Sequence, residues 1–182
     1  MKFDWKLVLI IVAGILAVVM LCVFGVQGAQ NKAFDLEEQV STAKSDVNIQ
    51  EKRRADLIPN LVDCVKKYDE HEYQTLMDVI AARGVSSDAA VAEVQTMIAA
   101  VTEAYPELKS NENYKQLMNE LSITENLIAQ YRENYNKQIK EYNRYVRKFP
   151  TRIYLSWLGY EVMEYQYLEY GNNVDAPTNL FD

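Results

Sequence analysis

A run of twenty uncharged residues, 7–26, lies close to the N-terminus and consists mostly of Leu, Ile, Val and Ala. At about 1.5 Å of rise per residue, a helix of this length spans about 30 Å, the thickness of the hydrocarbon core of a bilayer. Phe3 and Trp5 precede the run, where aromatic rings favour the headgroup region. The run therefore predicts one transmembrane helix over 7–26, after a short N-terminal flank over 1–6.

A cleaved signal peptide is the competing interpretation of this run, because the small residues Gly28 and Ala29 follow it. Signal peptides have apolar regions of only about 7–15 residues, which favours an uncleaved anchor here. Lys2 and Lys6 concentrate positive charge before the run, whereas the lysines after it are spread among acidic residues. The positive-inside rule then favours a cytoplasmic N-terminus and an extracytoplasmic domain.

The acidic balance of the chain restricts its partners. Lys and Arg number 19 against 26 Asp and Glu, a net charge of −7. Because phosphate binding needs a basic surface, nucleic acid is not expected as a partner. Cys22 lies inside the apolar run and Cys64 far outside it, so we expect no disulfide between them.

The rest of the chain has the apolar spacing of long helices. Apolar residues recur mostly at intervals of three, four or seven over 29–83. Pro59 should kink or divide this helix and Gly84 should end it. Further helices are predicted over about 89–104, 114–148 and 152–163, with a polar connection over 106–113. These helices predict an all-α, antiparallel bundle of about four long helices, preceded by the transmembrane helix.

Three stretches of this pattern resemble the LemA family of bacterial membrane proteins. They are Arg53–Val62 with Val65–Tyr68 and His71–Glu72; Glu103–Lys109 with Leu121, Thr124, Glu125, Asn126 and Ile128; and Arg132, Tyr135, Asn136, Tyr142, Asn143, Phe149 and Pro150. With the anchor, the resemblance covers most of the chain from Leu7 to Pro150.

The resemblance implies a single-pass protein of the bacterial cell membrane with a helical bundle domain, placed here at 29–163. The composition of residues 164–182 separately predicts a Tyr-rich acidic tail. The segment after Pro150 is the least family-like. The resemblance implies no particular enzymatic activity.

Candidate catalytic and metal-binding residues are few. His71 and Glu72 begin like a zinc-protease motif, but Thr75 stands where the second His must be, and the chain has one His. Cys64 lies seven residues before His71, about 10 Å along a helix and too far for a hydrogen bond. We therefore predict no catalytic residue, no metal and no cofactor.

Arg53, Arg54 and Asp56 interrupt the apolar stripe in the middle of a predicted helix. They are interpreted as a recognition patch, as a buried ion pair that fixes the register of the bundle, or as an ordinary solvated turn with a surface salt bridge. Asn136 and Asn143 share one helical face, where such residues more often set register than carry out chemistry.

An aromatic cluster near the C-terminal end includes Tyr154, Trp157 and Tyr160. Tyr and Trp are enriched at binding sites, and they also suit the closed end of a bundle, so both interpretations stay open.

The first functional hypothesis is a non-enzymatic, membrane-tethered helical scaffold that binds another protein or organises a membrane site. The second is a hydrolase accessory, or an enzyme that uses carboxylates such as Glu72 or Glu103. The third is an envelope structural protein that self-assembles into a homo-oligomer through its long helices, as in a coiled coil.

Overall fold

The computed structural model describes residues 5–84 and 87–169, and within these ranges every regular element is an α-helix. The elements are α1 (Trp5–Lys66), α2 (Glu70–Arg83), α3 (Asp88–Ala104), α4 (Pro106–Ser110), α5 (Glu112–Arg147) and α6 (Thr151–Trp157). The predicted all-α bundle is confirmed. The part of the predicted tail after Glu169 lies outside the described residues.

Of the kink or division expected at Pro59, the division does not occur. α1 runs through Pro59 to Lys66, and the chain turns there, with the N–H groups of Tyr68 and Asp69 donating to the carbonyl of Val65. Asp69 then caps α2 by accepting from the backbone N–H groups of the next turn. The prediction of one helical stretch interrupted only at Pro59 is therefore wrong. The predicted end at Gly84 is confirmed, at a φ of 70°.

Two further boundaries differ from the expected ones. The connection predicted over 106–113 contains α4, whose first residue is Pro106, a position where proline costs no helical hydrogen bond. The last predicted helix ends at Trp157 rather than near residue 163, because the chain reverses at Gly159, with a φ of 66°.

The described chain forms two compact units, and α1 and α5 contribute to both. Unit 1 contains the described residues up to Thr42 together with Asn136–Tyr167; unit 2 contains Ala43–Tyr135 and the described residues after Tyr167.

In unit 1, α1 and α5 pack antiparallel through a seam of small and apolar residues. The buried positions alternate at intervals of three and four, at Ala29, Ala33, Leu36 and Val40 on α1 and at Ile139, Tyr142 and Val146 on α5. The large apolar side chain of Phe34, between two of these buried positions of α1, is half exposed. The seam follows the alanines because their small side chains let the two helices approach closely.

Unit 2 contains the larger hydrophobic core, to which α1, α2, α3, α4 and α5 all contribute. Its buried residues are Ile58, Leu61, Val62, Val65, Leu76, Val91, Val94, Ile98, Val101, Leu108, Tyr114 and Leu121. Full burial of one such aliphatic side chain contributes about 1.5–3 kcal/mol. This core holds α1 and α5 in place beside α3, and it thereby positions the charged residues described next.

The N-terminal part of α1 has the length and composition to cross a membrane. Among the described residues, it is the one candidate for a membrane-spanning helix. Its large apolar side chains from Leu9 to Phe24 are exposed. A continuous apolar surface of this kind is expected against lipid rather than water. These features are consistent with membrane anchoring.

Candidate functional site

Arg54 places a buried guanidinium group in unit 2. Arg54 lies on α1 and is 1% exposed. Its Nη1 atom donates to Asp88 Oδ1 on α3 at 2.8 Å and to Glu125 Oε2 on α5 at 3.3 Å. One arginine therefore links three helices, and its charge is balanced by carboxylates from the other two.

Arg132 on α5 extends this ion pair into a network. It binds Asp88 with both terminal nitrogens, at 2.7 Å and 3.2 Å, and donates to Glu51 Oε1 on α1 at 2.6 Å. Arg54 of α1 pairs with Glu125 of α5, and Glu51 of α1 pairs with Arg132 of α5. The residue with the lower number on α1 thus pairs with the residue with the higher number on α5, so the two helices are antiparallel here. We call Glu51, Arg54, Asp88, Glu125 and Arg132 the arginine network.

Asp88 is the shared acceptor of the network, and its electrostatics follow from that position. Hydrogen bonds from Arg132 lower the pKa of the Asp88 carboxyl below its ordinary value. Burial opposes this shift in part, and the hydrogen bond from Arg54 adds to it. The contact with Asp88 also raises the pKa of Arg132 further above its usual range. The lowered pKa favours the ionised form of the Asp88 carboxyl, the form that pairs with both arginines.

The other two members of the predicted polar group lie outside the network. Arg53 forms an ion pair with Glu120 at 2.5 Å, and its side chain is 46% exposed. Asp56 is exposed, and its backbone carbonyl accepts a hydrogen bond from Asn60. The three neighbouring residues thus have three different environments.

A second polar cluster lies in unit 1, where α1 meets the segment after α6. The hydroxyl of Tyr160 donates to Glu37 Oε1 and lies 3.1 Å from the hydroxyl of Tyr142. Tyr142 also accepts from the backbone N–H of Met163 at 2.9 Å. Burial and the hydrogen bond to Glu37 raise the pKa of Tyr160 well above its ordinary value. This cluster ties the segment after Gly159 to the α1–α5 pair.

The remaining predicted interaction residues are placed as follows. Asn136 and Asn143 are half-buried on α5, and Asn143 borders a cavity of about 440 Å³ together with Glu164. Tyr154 is half-buried, with its ring centroid 6.2 Å from that of Trp157, which is 71% exposed.

The side chains considered for catalysis do not converge. His71 is exposed on α2. Cys64 is half-buried, and its thiol donates to the carbonyl of Asn60 at 3.4 Å. Burial and the neighbouring Asp63 raise the pKa of the Cys64 thiol, which lowers the thiolate fraction. Among the described residues, no group of three His, Cys, Asp or Glu side chains is arranged to hold a metal ion.

Comparison with known proteins assigns this chain to a family. The family model described as the LemA family matches residues 43–179, three quarters of the chain. The chain belongs to the LemA family. A relative named Protein LemA, from Metamycoplasma hominis, is 26% identical over 168 residues that cover 86% of this chain and 71% of the relative. The predicted family resemblance is confirmed, and the matched region extends past Pro150 into the segment that the sequence motifs left outside it.

The three LemA-like stretches of the sequence meet in the arginine network. Arg54 comes from the first stretch, Glu125 from the second and Arg132 from the third. Sequence reasoning singled out neither Asp88 nor Glu51. The available signal was Arg132 itself, because an arginine beside the buried stripe of a long helix needs an acidic partner.

Proposed function

We propose that this LemA-family chain is a non-enzymatic, membrane-anchored helical scaffold that binds a protein partner at the surface of its bundle. The observation that carries the proposal is the arginine network. Its buried charge is paired with carboxylates of neighbouring helices. A polar interior of this kind holds helices in register and leaves recognition to the outer surface.

The anchor in this proposal is the apolar N-terminal part of α1. α1 continues without a break from the apolar run into the buried seam of unit 1. A cut after Gly28 or Ala29 would fall inside this continuous helix, and this favours an uncleaved anchor.

The proposed topology places the bundle outside the cytoplasm, on the basis of Lys2 and Lys6. Cys64 is a poor topology probe because it is half-buried with a raised pKa. A better probe is Ser122→Cys, at an exposed position of α5, with both native cysteines replaced by serine. An impermeant maleimide should label it in intact cells; labelling only after lysis would reverse the proposed orientation.

The proposed partner surface is the outer face of α5 around Ile123. Ile123, Asn126, Leu127, Gln130 and Glu133 line a shallow depression of about 560 Å³. Their spacing of three and four places them on one helical face, with apolar side chains flanked by polar ones. This combination suits an amphipathic helix of another protein, which would cover the exposed isoleucine.

A pair of matched variants tests the partner surface. Ile123 and Ile49 are both exposed isoleucines on long helices of unit 2. Full-length chains carrying Ile123→Asp or Ile49→Asp are compared in affinity purification from detergent-solubilised membranes. We expect Ile123→Asp to lose the co-purifying partner and Ile49→Asp to retain it. Equal recovery from both variants, or no protein enriched over an anchor-only control, would contradict the scaffold proposal.

The enzyme hypothesis has less support from the geometry. Glu72 is half-buried on α2 and Glu103 is exposed on α3, and neither lines the cavities described above. Self-assembly is distinguished by the same purification, because a second copy of the chain with a different tag would then be the recovered partner.

A further inference from the structure

The turn between α5 and α6 exposes large apolar side chains that packing within unit 1 does not use. Phe149 is 81% exposed and Trp157 is 71% exposed, and Ile153 and Leu158 are partly exposed beside them. We call residues 147–158 the α5–α6 turn. Surface aromatic residues concentrated in one short segment mark a surface that contacts something other than water.

The α5–α6 turn lies beside the end of the apolar run of α1. A Cβ atom built on Gly25 would lie 3.9 Å from Cε2 of Tyr154. The hydroxyl of Tyr145 donates to the carbonyl of Ala29 at 3.3 Å. Gly25 belongs to the last turn of the run predicted to cross the membrane, so these contacts place the α5–α6 turn at the level where α1 leaves the bilayer.

The charge of the α5–α6 turn is opposite to that of the whole chain. Arg147, Lys148 and Arg152 are exposed, and no acidic residue occurs within 147–160, whereas the whole chain carries a net charge of −7. Arg147 and Arg152 share a cavity of about 220 Å³ with Phe149 and Ile153. In such an arrangement the guanidinium groups can bind the phosphate of a lipid while the apolar side chains contact its acyl chains.

We propose that the α5–α6 turn is a second membrane contact, which docks into the headgroup region of the bilayer. Phe149 and Trp157 insert at the interface, where aromatic rings are favoured, and the three basic residues bind phosphates of anionic lipids. The carboxyl end of α5 is thereby held at the membrane together with α1. The inference depends on the membrane anchor of the proposed function and does not depend on its protein partner.

Trp157 supplies the probe, because the chain has only one other tryptophan, Trp5. The full-length Trp5→Phe variant is reconstituted into vesicles of phosphatidylcholine with phosphatidylglycerol, some of them carrying brominated acyl chains. Bromine quenches tryptophan fluorescence only at short range. We expect strong quenching of Trp157 by brominated lipid and weak quenching by iodide in the water.

The matched control is a tryptophan on the same helix, away from the proposed contact. Lys137 is exposed on α5, ten residues or about 15 Å before Arg147. In a chain with Trp5→Phe, Trp157→Phe and Lys137→Trp, quenching by brominated lipid should be several-fold weaker. Circular dichroism of both variants checks that their helix content is unchanged.

A second set of vesicles tests the role of charge. Replacing Arg147, Lys148 and Arg152 with Gln should reduce the quenching of Trp157 in mixed vesicles to the level seen in phosphatidylcholine alone. The proposal would be overturned if brominated lipid quenched the tryptophans at positions 157 and 137 equally and iodide quenched both. The exposed surface would then be assigned to contact with a protein partner. Failure of the chain to float with vesicles would instead refute the anchor, and with it the proposed function.

Discussion

Arg54 on α1 and Asp88 on α3 are 34 residues apart in the chain, and their Nη1 and Oδ1 atoms lie 2.8 Å apart. The same carboxylate binds Arg132 of α5 with both oxygens. One aspartate thus joins helices that meet only after the chain has folded. Because Asp88 balances part of the buried charge of Arg54, sliding of the helices past one another would break this contact and is penalised.

The first prediction compares two adjacent arginines. Arg54→Met should destabilise the chain by about 1–3 kcal/mol, since the partly buried Glu125 loses its arginine and Asp88 keeps only Arg132. Arg53→Met removes only an exposed ion pair, which contributes under about 1 kcal/mol. Urea unfolding of the full-length chain in detergent, followed by circular dichroism, measures both. Equal midpoints for the two variants would show that the burial of Arg54 has no energetic consequence.

The second prediction concerns the pH dependence of the network. The pKa of Asp88 is lowered in the folded state, so its contribution to stability is present above its unfolded pKa of about 3.9. This contribution is lost as the pH falls through the folded value. Asp88→Asn, which cannot ionise, should therefore be less stable than the natural chain at neutral pH, and the difference should shrink below about pH 4.

Unfolding midpoints of both chains across this acidic range check the sign. Glu120→Gln serves as the control because Glu120 pairs with the exposed Arg53. A difference between the natural chain and Asp88→Asn that stays constant down to the lowest pH would contradict the assignment to the Asp88 carboxylate.

The sequence predicts the helices of this fold well because each follows from local signals. The apolar spacing of three and four predicts α3 and α5 within two residues at their ends, and Gly84 ends α2 as expected. The division before α2 was missed because Pro59 is the stronger local signal. The pattern of Asp69 followed three residues later by Glu72, a capping-box sequence, was the cue that could have located it.

The packing partners were harder to predict because they are set by tertiary contacts. The seam of unit 1 runs through alanines, which carry little weight in an apolar pattern, while the more hydrophobic Phe34 lies on the outer side. Arg54 stands out in the sequence, but Asp88 and Glu125 lie 34 and 71 residues away from it. Only the antiparallel register of the helices selects these two among the chain's many carboxylates.

The third prediction concerns the tyrosine cluster of unit 1. Tyr160→Phe removes the hydroxyl that donates to Glu37, a bond to a charged acceptor that contributes about 1.5–3 kcal/mol. The loss should loosen the segment after Gly159 before it affects α1 or α5. Hydrogen exchange should be faster in residues 160–167 of the variant than in the natural chain. This includes the backbone N–H of Met163, which donates a hydrogen bond to the hydroxyl of Tyr142.

Tyr167→Phe is the control for this change, since Tyr167 is half exposed. It should leave the exchange pattern unaltered. If Tyr160→Phe exchanged as slowly as the natural chain, the contact with Glu37 would not be what holds this segment.

The fourth prediction concerns two glycines whose substitutions should have opposite effects. Gly84 has a φ of 70° and a ψ of 176°, a region that costs residues with a side chain about 1–3 kcal/mol. Gly28 lies inside α1, and a Cβ there would meet nothing within 4 Å. Gly84→Ala should therefore lower the unfolding midpoint, whereas Gly28→Ala should raise it slightly, because alanine is favoured over glycine inside a helix by about 1 kcal/mol. Thermal unfolding of both full-length variants in the same detergent shows whether each substitution raises or lowers the unfolding midpoint. A higher midpoint for Gly84→Ala would mean that the end of α2 has a different backbone conformation.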